Sequence, residues 1–178
     1  RWMSRDNRVM WISCRGTVVT GEDGHKLLVG KITELGRKAK ADNVTGLRRE
    51  TRFRLDAEEI LRDRPESIRY CMRIGIDNFK EINEKDGVEA GDEILYKMSR
   101  CITETVTENV DVYRLVADEF MIMDAVSGPE ANPAKVYKQI CARVAEVVRE
   151  NDYSRFYTIS AGVLYENFQG KNSDELVR

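Results

Sequence analysis

The chain has 178 residues, 42% of them hydrophobic, a size that can bury one full core with a small appendage beside it. Its 29 basic and 31 acidic residues leave a formal net charge of -2, so no global positive field draws it to a nucleic acid backbone, and nucleic acid is excluded as a partner. No apolar run reaches the roughly 18 residues that a membrane-spanning helix needs. Cys14, Cys71, Cys101 and Cys141 are scattered through apolar patterns without a Cys-x-x-Cys pair, which predicts buried thiols in a reducing, cytoplasmic compartment. A first residue of Arg1 rather than Met leaves room for a longer parent protein with a membrane anchor upstream.

In chain order, Arg8 to Val19 is rich in strand formers, Gly21-Glu22-Asp23-Gly24 has turn composition, and Lys26 to Gly30 reads as the returning strand. Ile32, Leu35 and Ala39 then stand at helical spacing, which predicts a connector helix over 32–42. Phe53, Ala57, Ile60 and Leu61 mark an amphipathic helix from Glu50 to Arg62, closed by Pro65-Glu66-Ser67. From Ile68 to Ile76 apolar residues alternate with Arg69, Cys71, Arg73 and Gly75, the period of a strand with one strongly apolar face. A second helical stretch precedes Gly91 to Val106, where Ile94, Leu95, Met98, Ile102 and Val106 share one side. Val110 to Leu115 and Phe120 to Asp124 form two strands joined through the tip Val116-Ala117-Asp118-Glu119. Pro133 to Asn151 is a helix with Val136, Ile140, Val144 and Val147 aligned, and Phe156 to Tyr165 is a final strand. This alternation with a central hairpin predicts an α+β fold, a ferredoxin-like βαββαβ sandwich enlarged by the N-terminal hairpin and the connector helix.

Four motifs occur in a fixed order: Asp42-Asn43-Val44-Thr45-Gly46-Leu47, Ile76-Asp77-Asn78-Phe79-Lys80-Glu81-Ile82-Asn83, Gly87 with Gly91-Asp92, and Arg114-Leu115-Val116-Ala117-Asp118-Glu119-Phe120. Through them the chain resembles, from Asp42 to Arg178, the bacterial GGDEF domains, which make cyclic di-GMP from two GTP molecules. Its signature loop, Val116 to Phe120, has neither glycine. The N-terminal hairpin resembles the last two strands of a PAS sensor domain; an ordinary hairpin is the competing reading. These resemblances imply a PAS-like fragment over 1–36, a connector over 37–46 and a GGDEF-like domain over 47–178, with the family's last helix starting only beyond Arg178.

The resemblance also implies roles. Asn83 and Asp92 hold the positions that read the guanine edge, where an amide and a carboxylate match its donors and acceptors, with Phe79 and Lys80 as further substrate-binding residues. Asp92 equally suits a helix start. Phosphoryl transfer in the family uses Mg2+ or Mn2+ between two acids and the triphosphate. Asp118 is the loop acid, Glu119 stands vestigially at the catalytic position, and the backbone carbonyl of Ile76 is a further metal ligand. The strand acid belongs eight residues before Asn83, where this chain has Gly75. Asp77 follows two residues on, about 6.5 Å along a strand, and is a poor substitute because the family has its own Asp there. Val116 is β-branched and Ala117 lacks the freedom of a glycine. The product-inhibition motif Arg-x-x-Asp would fall on Thr107-Glu108-Asn109-Val110, which carries neither of its charges. The expectation is a degenerate domain of cyclic di-GMP signalling that binds GTP or dimerises, with little or no cyclase activity. An active diguanylate cyclase and an interaction domain without nucleotide are the alternatives. A homodimer of the full-length protein and a downstream EAL phosphodiesterase domain are what the family adds.

Overall fold

The computed structural model describes residues 2–3, 9–10, 12–20, 25–34, 41–150, 157–165 and 167–177. The chain divides into two compact units, Arg1–Lys40 and Ala41–Arg178. In the first, β1 (Trp2–Met3) pairs with β2 (Val9–Met10), and β3 (Ile12–Thr20) pairs antiparallel with β4 (Lys26–Glu34) in unbroken register from Ile12↔Glu34 to Thr20↔Lys26. The expected hairpin is therefore present and longer than its composition implies. Ile32, read as the first residue of the connector helix, pairs with Cys14 instead. A partner strand offers its backbone groups hydrogen bonds that a three-residue helical pattern cannot match. Leu35, Ala39, the turn at 21–24 and Phe156 lie outside the described residues.

The second unit runs β5 (Arg48–Arg49), α1 (Glu50–Asp63), β6 (Tyr70–Ile76), α2 (Phe79–Asp86), α3 (Val88–Thr105), β7 (Asp111–Arg114), β8 (Glu119–Asp124), α4 (Pro133–Glu150), β9 (Ile159–Tyr165) and α5 (Ser173–Val177). Its five-stranded sheet has the order β5-β7-β8-β6-β9, with β6 antiparallel to both β8 and β9 and β5 parallel to β7. Without β5, the connectivity and strand order are those of the ferredoxin-like βαββαβ sandwich. Ile82 of α2, Leu95 and Met98 of α3 and Ile140 of α4 pack with Met72, Ile74, Phe120 and Ile122 on one face. Phe53, Ala57 and Ile60 of α1 and Leu176 of α5 pack with Cys71, Tyr113, Met121 and Met123 on the other.

That second covering layer corrects the expectation of a single apolar face on β6. Cys71, nominally on the polar side, is 2% exposed, and burial pushes its thiol up to about 12. Cys101 is likewise buried, and Cys71, Cys101 and Cys141 are free thiols. Among the described residues no helix is long and apolar enough to cross a membrane.

A helix already begins at Ser173, before the point where the last helix was expected. Its start is a reciprocal cap: the Glu175 N–H donates to Asn172 Oδ1 at 3.1 Å, and the Asn172 N–H donates to Glu175 Oε2 at 3.0 Å.

Beneath α1, the Tyr113 hydroxyl donates to Asp56 Oδ2 at 2.9 Å, and the same carboxylate pairs with Arg52. A hydrogen bond to a charged group contributes about 1.5–3 kcal/mol. Tyr113→Phe should lower stability by roughly 1.5 kcal/mol, the lower end, because Arg52 still satisfies Asp56. A urea denaturation curve reads this directly, and an unshifted midpoint would show that the bond contributes nothing.

Candidate functional site

The site lies where β6 ends, α2 and α3 begin and the β7–β8 hairpin turns. Register pairs Gly75 with Glu119 and Arg73 with Met121. The tip is closed by the Glu119 N–H to the Val116 carbonyl at 2.9 Å and the Leu115 N–H to the Glu119 carbonyl at 2.8 Å. Of the two positions without glycine, Ala117 has the positive φ, 53°. Val116 is not among the positive-φ residues and is simply exposed. An alanine in left-handed backbone costs about 1–2 kcal/mol, so something must hold the turn.

Arg114 does so. Its Nε and Nη2 donate to the Ala117 carbonyl at 3.0 and 2.6 Å, and its Nη1 donates to Asp42 Oδ1 at 2.6 Å. Asp42 also accepts from the N–H groups of Val44 and Thr45 and from the Thr45 hydroxyl. Burial pulls its carboxyl upward, but the Thr45 and Arg114 hydrogen bonds outweigh this and hold it below the usual carboxylate range. The first motif of the chain is thus the abutment of the last.

Asp118 Oδ2 accepts the Ile76 N–H at 3.1 Å. A Cβ at Gly75 would stand 3.8 Å from that same oxygen, an ordinary contact. Position 75 therefore adjoins the loop acid, and an acidic side chain there would share an ion with it; glycine supplies no ligand. Glu119 is engaged elsewhere, with Oε1 at 2.5 Å from Arg73 Nη2, while Arg73 Nη1 donates to the Val177 carbonyl at 2.6 Å. Asp77 accepts the hydroxyls of Thr158 and Ser160 at 2.5 and 2.7 Å, which hold its carboxyl below the usual range. Those partners belong to the β9 flank of β6, opposite the β8 flank that carries Asp118. Among the described residues no three His, Cys, Asp or Glu side chains gather as a metal site. The resemblance implies Mg2+ or Mn2+ between two acids, and the residues present do not fit a two-acid seat for either ion.

Asn83 lies within α2, which Gly87, at φ 88°, closes by donating its N–H to the Asn83 carbonyl. A Cβ at Gly91 would fall 1.9 Å from Asn83 Oδ1 and 3.2 Å from Phe79 Cζ. Glycine at 91 is what lets the Asn83 amide lie across the first turn of α3, beside the exposed Asp92. Phe79 is 8% exposed and its ring belongs to the core, so its backbone at the start of α2 is what remains for a ligand. Lys80 extends into solvent, 3.5 Å from Glu84. The structure sets Gly75 beside Asp118 and Gly91 beside Asn83, and adds Arg73, which no motif marks, through Glu119. The available signal was a cation inside an alternating apolar strand.

Two substitutions test this geometry. Gly75→Asp should fold normally and raise Mn2+ affinity about tenfold or more in calorimetry, since a second carboxylate is the missing hard ligand; unchanged affinity would mean that Asp118 does not face the gap. Ala117→Gly should stabilise the hairpin by no more than about 1 kcal/mol, the relief of left-handed strain less the entropy of glycine. Thermal melts of the two proteins side by side would show it, and a loss of stability would contradict the assigned strain.

Residues 39–178 match the family described as Diguanylate cyclase, GGDEF domain. Over 152 residues, or 81% of this chain and 18% of the other, the sequence is 28% identical to Cyclic di-GMP phosphodiesterase NbdA of Pseudomonas aeruginosa. It is 30% identical over 126 residues to Diguanylate cyclase TpbB of Pseudomonas aeruginosa, covering 70% of this chain and 29% of that protein. The chain thus spans less than a third of the length of either relative. A solved TpbB structure comprising only the GGDEF domain superimposes with a TM-score of 0.67 at 26% identity, covering 77% of this chain and 81% of that one. By the match over residues 39–178 and the superposition on a solved GGDEF domain, the chain belongs to the GGDEF domain family of diguanylate cyclases.

Proposed function

We propose that this chain is a degenerate GGDEF domain acting as a GTP-binding regulatory module in cyclic di-GMP signalling, with little or no cyclase turnover. The observation that carries this is Gly75 beside Asp118: the space for a second acid is present and the ligand is not. Metal stabilisation of a developing phosphoryl charge is worth several kcal/mol, so its partial loss costs on the order of a hundredfold or more in rate. The guanine end is better preserved, because Gly91 still makes room for the Asn83 amide beside Asp92. Asn83 and Asp92 would orient the base, with the start of α2 at Phe79 and Lys80 nearer the phosphates. Glu119 would be catalytically silent while Arg73 holds it.

The full-length protein is expected to be a cytoplasmic-facing homodimer with an EAL-type phosphodiesterase domain downstream and a PAS-like sensor at 1–36. The similarity to NbdA, whose name is that of a phosphodiesterase, supports the downstream domain. TpbB, whose name is that of a cyclase, keeps a second reading in play, that of an active enzyme, favoured by the retained Asp118 and its Ile76 contact.

Incubating full-length protein with GTP and Mg2+ or Mn2+ separates them. No cyclic di-GMP should form, and Asn83→Ala should weaken GTP binding about tenfold, the worth of one well-made hydrogen bond. Robust product formation sinks the regulatory reading in favour of the active enzyme. Failure to bind GTP at all leaves an interaction domain without nucleotide.

A further inference from the structure

Arg73 is a cation that the fold fixes against the signature hairpin, through Glu119, on the side of β6 that carries Gly75. It shares the face of β6 with Gly75, one side-chain alternation away, or about 6.5 Å along the strand. Its guanidinium is held at two points, the Glu119 carboxylate and the Val177 carbonyl, while its side chain keeps 37% exposure. A guanidinium has five N–H donors, and these two bonds use two of them.

The charge balance of this corner follows. Asp118 and Glu119 contribute two negative charges and Arg73 one positive. A hard cation such as Mg2+ seeks an oxygen seat rich in negative charge, whereas here a backbone N–H and a guanidinium already take up part of the carboxylate capacity. For a polyphosphate the corner keeps one unfavourable carboxylate in Asp118, but one acid at the gap is gone, Glu119 is paired, and a planar, permanently charged fork suited to bidentate phosphate contacts is 37% exposed beside it.

We propose that this site takes the triphosphate of a guanine nucleotide without a divalent ion, with Arg73 supplying the positive charge that a metal ion would otherwise bring. The inference rests on the reading that the domain binds GTP, and adds to it the means of phosphate recognition. A phosphate seated bidentately on the edge that carries Nη2 draws on the group that now holds Glu119, so the two compete for that end of the guanidinium. Nucleotide binding therefore loosens the Glu119 end of the hairpin and couples ligand to the conformation of the signature loop and of α5, whose Val177 carbonyl rests on the same side chain.

Calorimetric titration of the full-length protein with GTP, once in EDTA and once in Mg2+, tests it. Affinities within about threefold of each other are expected, a difference under 1 kcal/mol. Arg73→Ala should weaken binding in EDTA about tenfold or more, the worth of a charge-assisted contact, and Arg73→Lys should recover part of it. Because Arg73 also anchors Val177, circular dichroism accompanies both variants. Glu119→Gln provides an arm that leaves the arginine in place: freeing the guanidinium should tighten GTP binding in EDTA. GTP binding that appears only with Mg2+, or a Glu119→Gln protein that binds no better, overturns the metal-free site while leaving the GTP-binding module intact. Absence of binding in both buffers overturns that module, and the inference with it.

Discussion

The pairing of β6 with β8 is the constraint on which the site depends. Strand β6 is hydrogen-bonded on both sides and covered on both faces over Tyr70–Met72, so its far end, from Arg73 to Ile76, is delivered to a fixed place. Register then decides the chemistry: Gly75 faces Glu119, the Asp118 carboxylate reaches back to the Ile76 N–H, and Arg73 lies within reach of Glu119. A one-residue slip would turn Arg73 and Gly75 into the core beneath α3 and α4 and Met72 and Ile74 toward the α1 face. The large buried area of Met72, Ile74, Phe120 and Ile122 forbids that slip, and so the core holds the polar corner in register.

The loop itself is supported from outside the hairpin. Arg114 spans from Asp42 to the Ala117 carbonyl, and both ends of the Asp42–Arg114 pair are largely withdrawn from solvent, at 12% and 13% side-chain exposure. A turn that lacks glycine can keep its conformation when such a clamp offsets the strain. Fold and metal binding are thus separable here. The clamp, the register and the Asn83–Gly91 contact are independent of the side chain at position 75, whereas a two-carboxylate metal seat depends on it entirely.

Much of this was legible in the sequence. Helical and strand periods mark the elements of the second unit, and the eight-residue spacing back from Asn83 marks Gly75. What escaped has a common physical cause: pairings between residues distant in the chain. Arg73 and Glu119 are 46 residues apart, and Asp77 and Thr158 are 81 apart. Neither periodicity nor motif spacing encodes such partners. The second covered face of β6 is hidden in the sequence because Cys71 reads as weakly apolar until α1 is seen packing on it. The extension of β4 over Ile32 was hidden because the same residues fit helical spacing, and the local pattern cannot weigh a partner strand. The cap at Asn172 and Glu175, by contrast, was available from spacing alone: a capping side chain followed three residues later by Glu.

The proposed regulatory module requires a GGDEF fold in which Asn83 and Asp92 hold guanine while Gly75 leaves Asp118 without a second acid. Anomalous diffraction at the manganese edge, from crystals grown with a non-hydrolysable GTP analogue and Mn2+, addresses it most directly. Guanine is expected against Asn83 and Asp92, a phosphate on Arg73, and no manganese peak between Gly75 and Asp118. A manganese ion bridging Asp118 and the phosphates, with Arg73 still on Glu119, would contradict it.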